Sequence, residues 1–159
     1  MNAGAKIAKG EILLFLHADT FLPKNALDDI SDIVQNDIVA GAFDLAFDNE
    51  KFSLKVISTI ASYRSRITRT PYGDQAIFIK KAIFNKVAQY ETISLMEDVN
   101  LMQKLKKHNY KIHILNSKVV TSSRKWEQSG IVYTTLRNWI LIVLYYFGVD
   151  PERLSKFYH

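Results

Sequence analysis

The sequence predicts an α/β domain, and three observations lead there. Ile12–Leu16 is a continuous apolar run, too short for a helix and flanked by Lys9-Gly10 and Pro23, as expected of a strand buried on both faces of a mostly parallel sheet. Segments with apolar residues at helical spacing alternate with runs of this kind. The 159 residues, 48% of them hydrophobic, are one domain's worth of chain with a sizeable core. No repeat, low-complexity segment or linker interrupts them, so 1–159 reads as a single domain.

Composition narrows the chemistry. The absence of cysteine excludes disulfides and thiolate metal sites, so any metal would be held by oxygen or imidazole. The 21 basic and 16 acidic residues give a formal charge of +5, which favours anionic ligands, membrane surfaces or nucleic acid without choosing among them. No charged-then-apolar leader is visible, and the apolar run Trp139–Val149 falls well short of the ~20 residues of a membrane span. A cytoplasmic setting is expected, with peripheral membrane association as the alternative.

Taken in order, Met1–Gly10 places Ala3, Ile7 and Ala8 at roughly helical spacing, with Gly10 as a stop. The strand Ile12–Leu16 follows and runs directly into His17-Ala18-Asp19-Thr20. Pro23, Leu27, Ile30, Ile33 and Val34 mark a helix over about 24–35. Ile38–Phe47 reads as a second strand, in which Gly41 lets something approach the backbone. Phe52, Val56, Ile57, Ile60, Ala61 and Tyr63 describe one face of a helix over 52–67, followed by Arg64, Arg66 and Arg69.

Pro71-Tyr72-Gly73-Asp74-Gln75 breaks that helix and leads to a short strand, Ala76–Ile79, and a short helix to about Val87. Glu97 and Asp98 then open a strongly periodic helix through Val99, Leu101, Met102 and Leu105, with Lys104, Lys106 and Lys107 at its other end. Tyr110–Leu115 and Lys118–Ser122 read as two short strands, and Ser123–Glu127 as a polar loop with Trp126 at its centre. Ile131–Phe147 is a helix apolar around most of its circumference, and Asp150-Pro151 starts a last short one. A helix this apolar must be covered by its own core, by a second copy or by a membrane surface.

Several of these residues carry two readings. Asp19 stands at the carboxyl end of a strand, where ligands of open α/β sheets bind, but Asp19 or Thr20 could equally cap the next helix. Glu97 and Asp98 are a pair of adjacent carboxylates delivered by a loop, and also what a helix dipole favours at its start. The arginines after the third helix suit phosphate geometry, or a solvated helix end.

In their order and spacing, four motifs resemble family 2 glycosyltransferases of the GT-A fold. They are the apolar strand ending in His17-Ala18-Asp19-Thr20, the strand entry Gly73-Asp74-Gln75, the helix start Met96-Glu97-Asp98-Val99 and the segment Arg124-Lys125-Trp126-Glu127. More narrowly, the chain is similar to the bacterial subgroup of radical-SAM/selenodomain-associated transferases. The resemblance covers essentially the whole chain and implies a mixed sheet with flanking helices. It implies an inverting transfer of a sugar from a nucleotide-diphosphate donor to an acceptor hydroxyl.

By the same comparison Asp19 takes the place of the last aspartate of the family's Asp-x-Asp signature, which holds Mn²⁺ or Mg²⁺ against the diphosphate. His17 replaces the first aspartate. Asp98 would be the general base with Glu97 beside it, Gly73, Asp74 and Gln75 the acceptor-side wall, and Arg124 and Trp126 a loop closing on donor or acceptor. The family's Gln-x-x-Arg-Trp form is not reproduced there. Nothing in the chain corresponds to the family's first strand–helix–strand units, which bind the donor's base and ribose. The resemblance therefore implies the C-terminal two thirds of such an enzyme, inactive by itself and prone to self-association as a homo-oligomer.

Two other classes compete. One is a basic module for nucleic acid or anionic lipid, but the charges are spread over helix ends and no nucleic-acid motif appears, so no nucleic-acid partner is expected. The other is a non-catalytic, dimerising remnant built on the apolar C-terminal helix.

Overall fold

A computed structural model describes residues 1–158. Its elements are α1 (Asn2–Ile7), β1 (Ile12–Phe15), β2 (Thr20–Phe21), α2 (Ala26–Val34), β3 (Ala40–Phe47), α3 (Phe52–Thr68), a 3-10 turn at Gly73–Gln75, β4 (Ile77–Lys80) and α4 (Lys81–Lys86). They continue with α5 (Glu97–Lys107), β5 (Ile112–Thr121), α6 (Arg124–Ser129), α7 (Ile131–Tyr146) and α8 (Pro151–Ser155).

The strands form one five-stranded sheet in the order β1-β4-β3-β5-β2. Only β3 and β5 pair in parallel; β1 with β4, β4 with β3 and β5 with β2 are antiparallel. The sheet is therefore mixed, and the expectation of a mostly parallel sheet around Ile12–Leu16 is corrected. β1 lies at the edge, and of its residues only Leu13 is fully buried. Its apolarity comes from helices on both faces, not from a strand on each side.

The pairings fix strand directions. β1 is antiparallel to β4 and β4 to β3, so β1, β3 and β5 all run the same way while β4 and β2 run back. The ends of β1, β3 and β5 and the beginnings of β4 and β2 consequently meet at one end of the sheet. β1 and β2 sit at opposite ends of the strand order, yet only residues 16–19 join them. Five residue steps reach at most ~17 Å, whereas four strand spacings in a flat sheet span ~19 Å. The sheet must curl, and it does so toward the His17–Asp19 turn.

Alternating side chains feed two cores, one on each face. Ala40, Ala42, Ile77, Ile79, Ile112 and Ile114 pack with Leu101, Met102 and Leu105 of α5 and Phe84 of α4. Phe43, Leu45, Phe78, Leu115 and Val119 pack on the other side with Ala26 and Ile30 of α2. Gly41 lies between these sets: a β-carbon there would collide with the His113 carbonyl oxygen and come within 2.5 Å of Phe78 Cζ. What approaches the backbone at Gly41 is the protein's own core.

Three local expectations are corrected. The two short strands over 110–122 are one continuous strand, β5, whose pairing with β3 shifts register between Phe43 and Asp44. That irregularity absorbs the break in the apolar pattern at Asn116-Ser117. The polar loop at Ser123–Glu127 is instead the start of α6, held to the β3–α3 turn by Ser123 N–H to Asp48 Oδ1 (2.8 Å) and by Lys51 and Asn49 on Glu127. In α3, the residues buried against the sheet are Leu54, Ser58, Ser62 and Ser65, not the large apolar face. Small hydroxyl side chains let the helix lie close, and Ser62 Oγ accepts the Leu45 N–H at 2.9 Å. Phe52, Ile60, Tyr63 and Ile67 are left exposed.

Candidate functional site

A cleft of about 600 Å³ opens at the end of the sheet where β1, β3 and β5 finish, bounded by α3, α5, α6 and α7. It is lined by His17 and Asp19 after β1, by Gly73 and Asp74 before β4, by Glu97 and Asp98 at the start of α5 and by Arg124 and Trp126 of α6. Residues that the sequence places in four separate segments are thus brought to one cavity. The strand directions do this, because each segment follows a strand that ends there, precedes one that begins there, or starts a helix packed beside it.

His17 and Asp19 project from a tight turn whose backbone is fixed at both ends. Thr20 N–H donates to His17 O at 3.2 Å and Ser122 N–H to Asp19 O at 3.1 Å, while the Thr20 and Thr121 hydroxyls bond at 2.9 Å. Asp19 does not cap α2, whose N-cap is Asn25. Both His17 and Asp19 side chains are exposed.

Asp98 is the most constrained carboxylate. Gly73 N–H donates to its Oδ2 and Val99 N–H to its Oδ1, each at 2.7 Å. Burial first and the neighbouring Glu97 charge next raise its pKa, the two N–H donors oppose them, and the net is a value of about 6. Met96, immediately before the helix, is in the left-handed region with φ 67, which sets the direction in which Glu97 and Asp98 leave the loop. Asp74 also has a raised pKa, through burial first, with the His17 and Arg64 charges pulling it back. Its Oδ1 is buried and has no partner among the described residues.

Gln75, expected on the acceptor-side wall, is instead buried beneath it with 1% of its surface exposed. Its Oε1 accepts from Ser65 Oγ (2.6 Å) and Tyr72 N–H (3.2 Å), and its Nε2 donates to Phe43 O (2.9 Å). It ties α3, β3 and the 3-10 turn together and so positions Gly73. Ala76, next in line, is left-handed at φ 51.

The arginine cluster divides. Arg66 pairs with Asp44 at 2.7 Å and Arg69 donates to Ile112 O at 2.5 Å, both structural uses. Arg64 alone lines the cleft, its guanidinium 3.6 Å from the Tyr72 ring centroid and hydrogen-bonded to Thr70 O. Trp126 packs against Phe47 with ring centroids 4.7 Å apart, and its Nε1 is buried with no partner among the described residues.

Sequence reasoning did not single out Tyr72, Lys125, Asn138 or Trp139, which also line the cavity. For Trp139 and Asn138 the signal was a polar–aromatic pair in an otherwise apolar helix; Tyr72 and Lys125 adjoin residues that were chosen. Among the described residues no three histidines or carboxylates converge as a preformed metal cage. A hard cation bound by one or two protein ligands and completed by phosphate oxygens needs no such cage, and Asp19 with His17 fits that mode.

No family model matches the chain, and no curated protein does. Among the described residues no helix is long and apolar enough to cross a membrane.

Proposed function

We propose that the protein is a glycosyltransferase of the inverting type, moving a sugar from a nucleotide-diphosphate donor to an acceptor hydroxyl. The observation that carries the reading is the meeting, in one cleft at the ends of three strands that run the same way, of Asp19, the constrained carboxylate Asp98 and the cations Arg64, Arg124 and Lys125. A divalent cation, Mn²⁺ or Mg²⁺, held by Asp19 with His17 beside it would supply positive charge to the leaving diphosphate.

Asp98 accepts the proton of the acceptor hydroxyl. Each of its oxygens receives one N–H and retains a lone pair, and a pKa near 6 leaves it ionised and basic at neutral pH. The hydroxyl oxygen then bonds to the anomeric carbon as the bond from that carbon to the diphosphate oxygen breaks. The electron pair leaves with the diphosphate. Attack opposite the leaving group inverts the anomeric centre. Gln75 and Gly73 act indirectly, by holding Asp98 in place.

Calorimetric titration with a set of sugar nucleotides, with and without Mn²⁺, tests the reading. Metal-dependent binding of one nucleotide, followed by transfer or slow hydrolysis of its sugar, is expected. Absence of binding to all of them, with or without metal, overturns it.

A further inference from the structure

The cleft has two chemically different halves. Its carboxylates and cations stand at the sheet end. The space between α3 and α7 is walled mainly by Phe47, Ile57, Ile60, Trp126, Trp139 and Leu141, with Thr135 and Asn138 of α7 as polar members of the same wall. Ile60 and Trp139, which line this half, are also 46% and 57% exposed, so the apolar wall runs out of the cleft onto the surface.

We infer that this half is an acceptor subsite for an amphiphile: an alcohol carrying a long apolar chain, with its hydroxyl at Asp98 and its chain lying between α3 and α7. Naming the hydroxyl as the acceptor rests on the glycosyltransferase reading; the chain-binding half rests on its lining alone. A polar oligosaccharide placed there would lose water from hydroxyls that Phe47, Ile57, Ile60 and Leu141 cannot hydrogen-bond, and Thr135 and Asn138 could replace only a few of those bonds. An alkyl or isoprenoid chain loses only unfavourable apolar hydration. The cavity volume is in the range that encloses a ligand of a few dozen heavy atoms. The outlet at Ile60 and Trp139 lets a longer chain continue beyond the protein.

The test needs neither donor nor metal, so it succeeds or fails independently of the proposed transfer. The chain's two tryptophans, Trp126 and Trp139, both line the cleft, and their fluorescence reports its occupancy. The protein is titrated with maltose and with octyl, decyl and dodecyl maltoside, each below its micelle concentration. Affinity should rise about three- to fourfold per added methylene, with a blue-shifted emission, and maltose should give no change. Ile60→Glu, at a half-exposed position that the fold tolerates, should flatten the chain-length dependence, and Ile60→Leu should keep it. Val132→Glu, on the outer side of α7, should leave it unchanged. Affinity independent of chain length overturns the inference. So does a dependence that survives Ile60→Glu but is lost in Val132→Glu, which would place the amphiphile on the outer surface. Retained alkyl binding with no sugar-nucleotide binding would overturn the transferase reading and leave the subsite standing.

Discussion

Asp98 decides the chemistry because its environment separates it from its neighbours. Burial and the adjacent Glu97 charge raise its pKa from 3.8 to about 6. Asp98→Asn should lower turnover by about 10²–10⁴, the usual cost of losing a general base, with donor binding retained. The rate should fall on the acid side of about pH 6, where Asp98 becomes protonated. Glu97→Gln removes a charge that raises this pKa, so the acid limb should move to lower pH; a limb that stays put would assign the titration to another group. The same shift has a stability consequence. A carboxyl whose native pKa is raised favours folding fully below its unfolded value of about 4, and that contribution is lost as pH rises through about 6. Asp98→Asn leaves one of the two N–H donors unpaired, so the expected signature is the trend: its urea resistance relative to the parent should rise as pH increases from about 4 through about 6. Asp19 is different: exposed, on a turn fixed by its backbone. Asp19→Ala should abolish Mn²⁺-dependent nucleotide binding in calorimetry without moving the melting temperature. Metal dependence that persists would remove Asp19 from the cation site.

At the scale of elements, the buried Gln75 joins α3, β3 and the 3-10 turn, and its amide groups have no water to turn to. Gln75→Leu leaves the Tyr72 N–H and Phe43 carbonyl unpaired at about 1–3 kcal/mol each, so urea unfolding should show a loss of several kcal/mol. A smaller loss would mean that the turn re-forms its bonds elsewhere. Much of this level was legible in the sequence. The periodic helix of Val99, Leu101, Met102 and Leu105 appears as α5, and the segments that bear Asp19, Gly73, Asp98 and Trp126 do share one cleft. What pattern could not supply was pairing: β1 is an edge strand and the sheet is mixed, because an apolar run looks the same whether strands or helices cover it. Nor could it tell that α3 would turn its serines inward. Apolar periodicity chose the larger face, whereas close approach to the sheet and the hydrogen bonds of Ser62 and Ser65 chose the smaller. Gln75 was expected on the acceptor-side wall from the resemblance alone, since a buried amide is recognisable only from its partners.

For the molecule as a whole, the apolar outer faces of α3 and α7 call for a cover. Val132, Leu136, Ile140, Val143 and Phe147 form a stripe along the outer side of α7 and are each more than half exposed. Phe52, Tyr63 and Ile67 of α3 add to the exposed apolar surface. Within the chain α7 buries only Thr134 and Leu141. A continuous apolar surface of this kind is unusual on a monomer. β1 offers a second adhesive feature, since it is hydrogen-bonded to a strand on one side only. A second copy suits the α7 stripe because a two-fold axis lets one self-complementary patch cover its own equivalent, with no other partner required. Light scattering of the purified protein should give twice the chain's mass, and the double substitution Leu136→Glu with Val143→Glu should halve it. Neither residue lines the cleft. A parent that is monomeric across the concentration range would remove the second copy as the cover, and α7 would then face water or lipid through its apolar side.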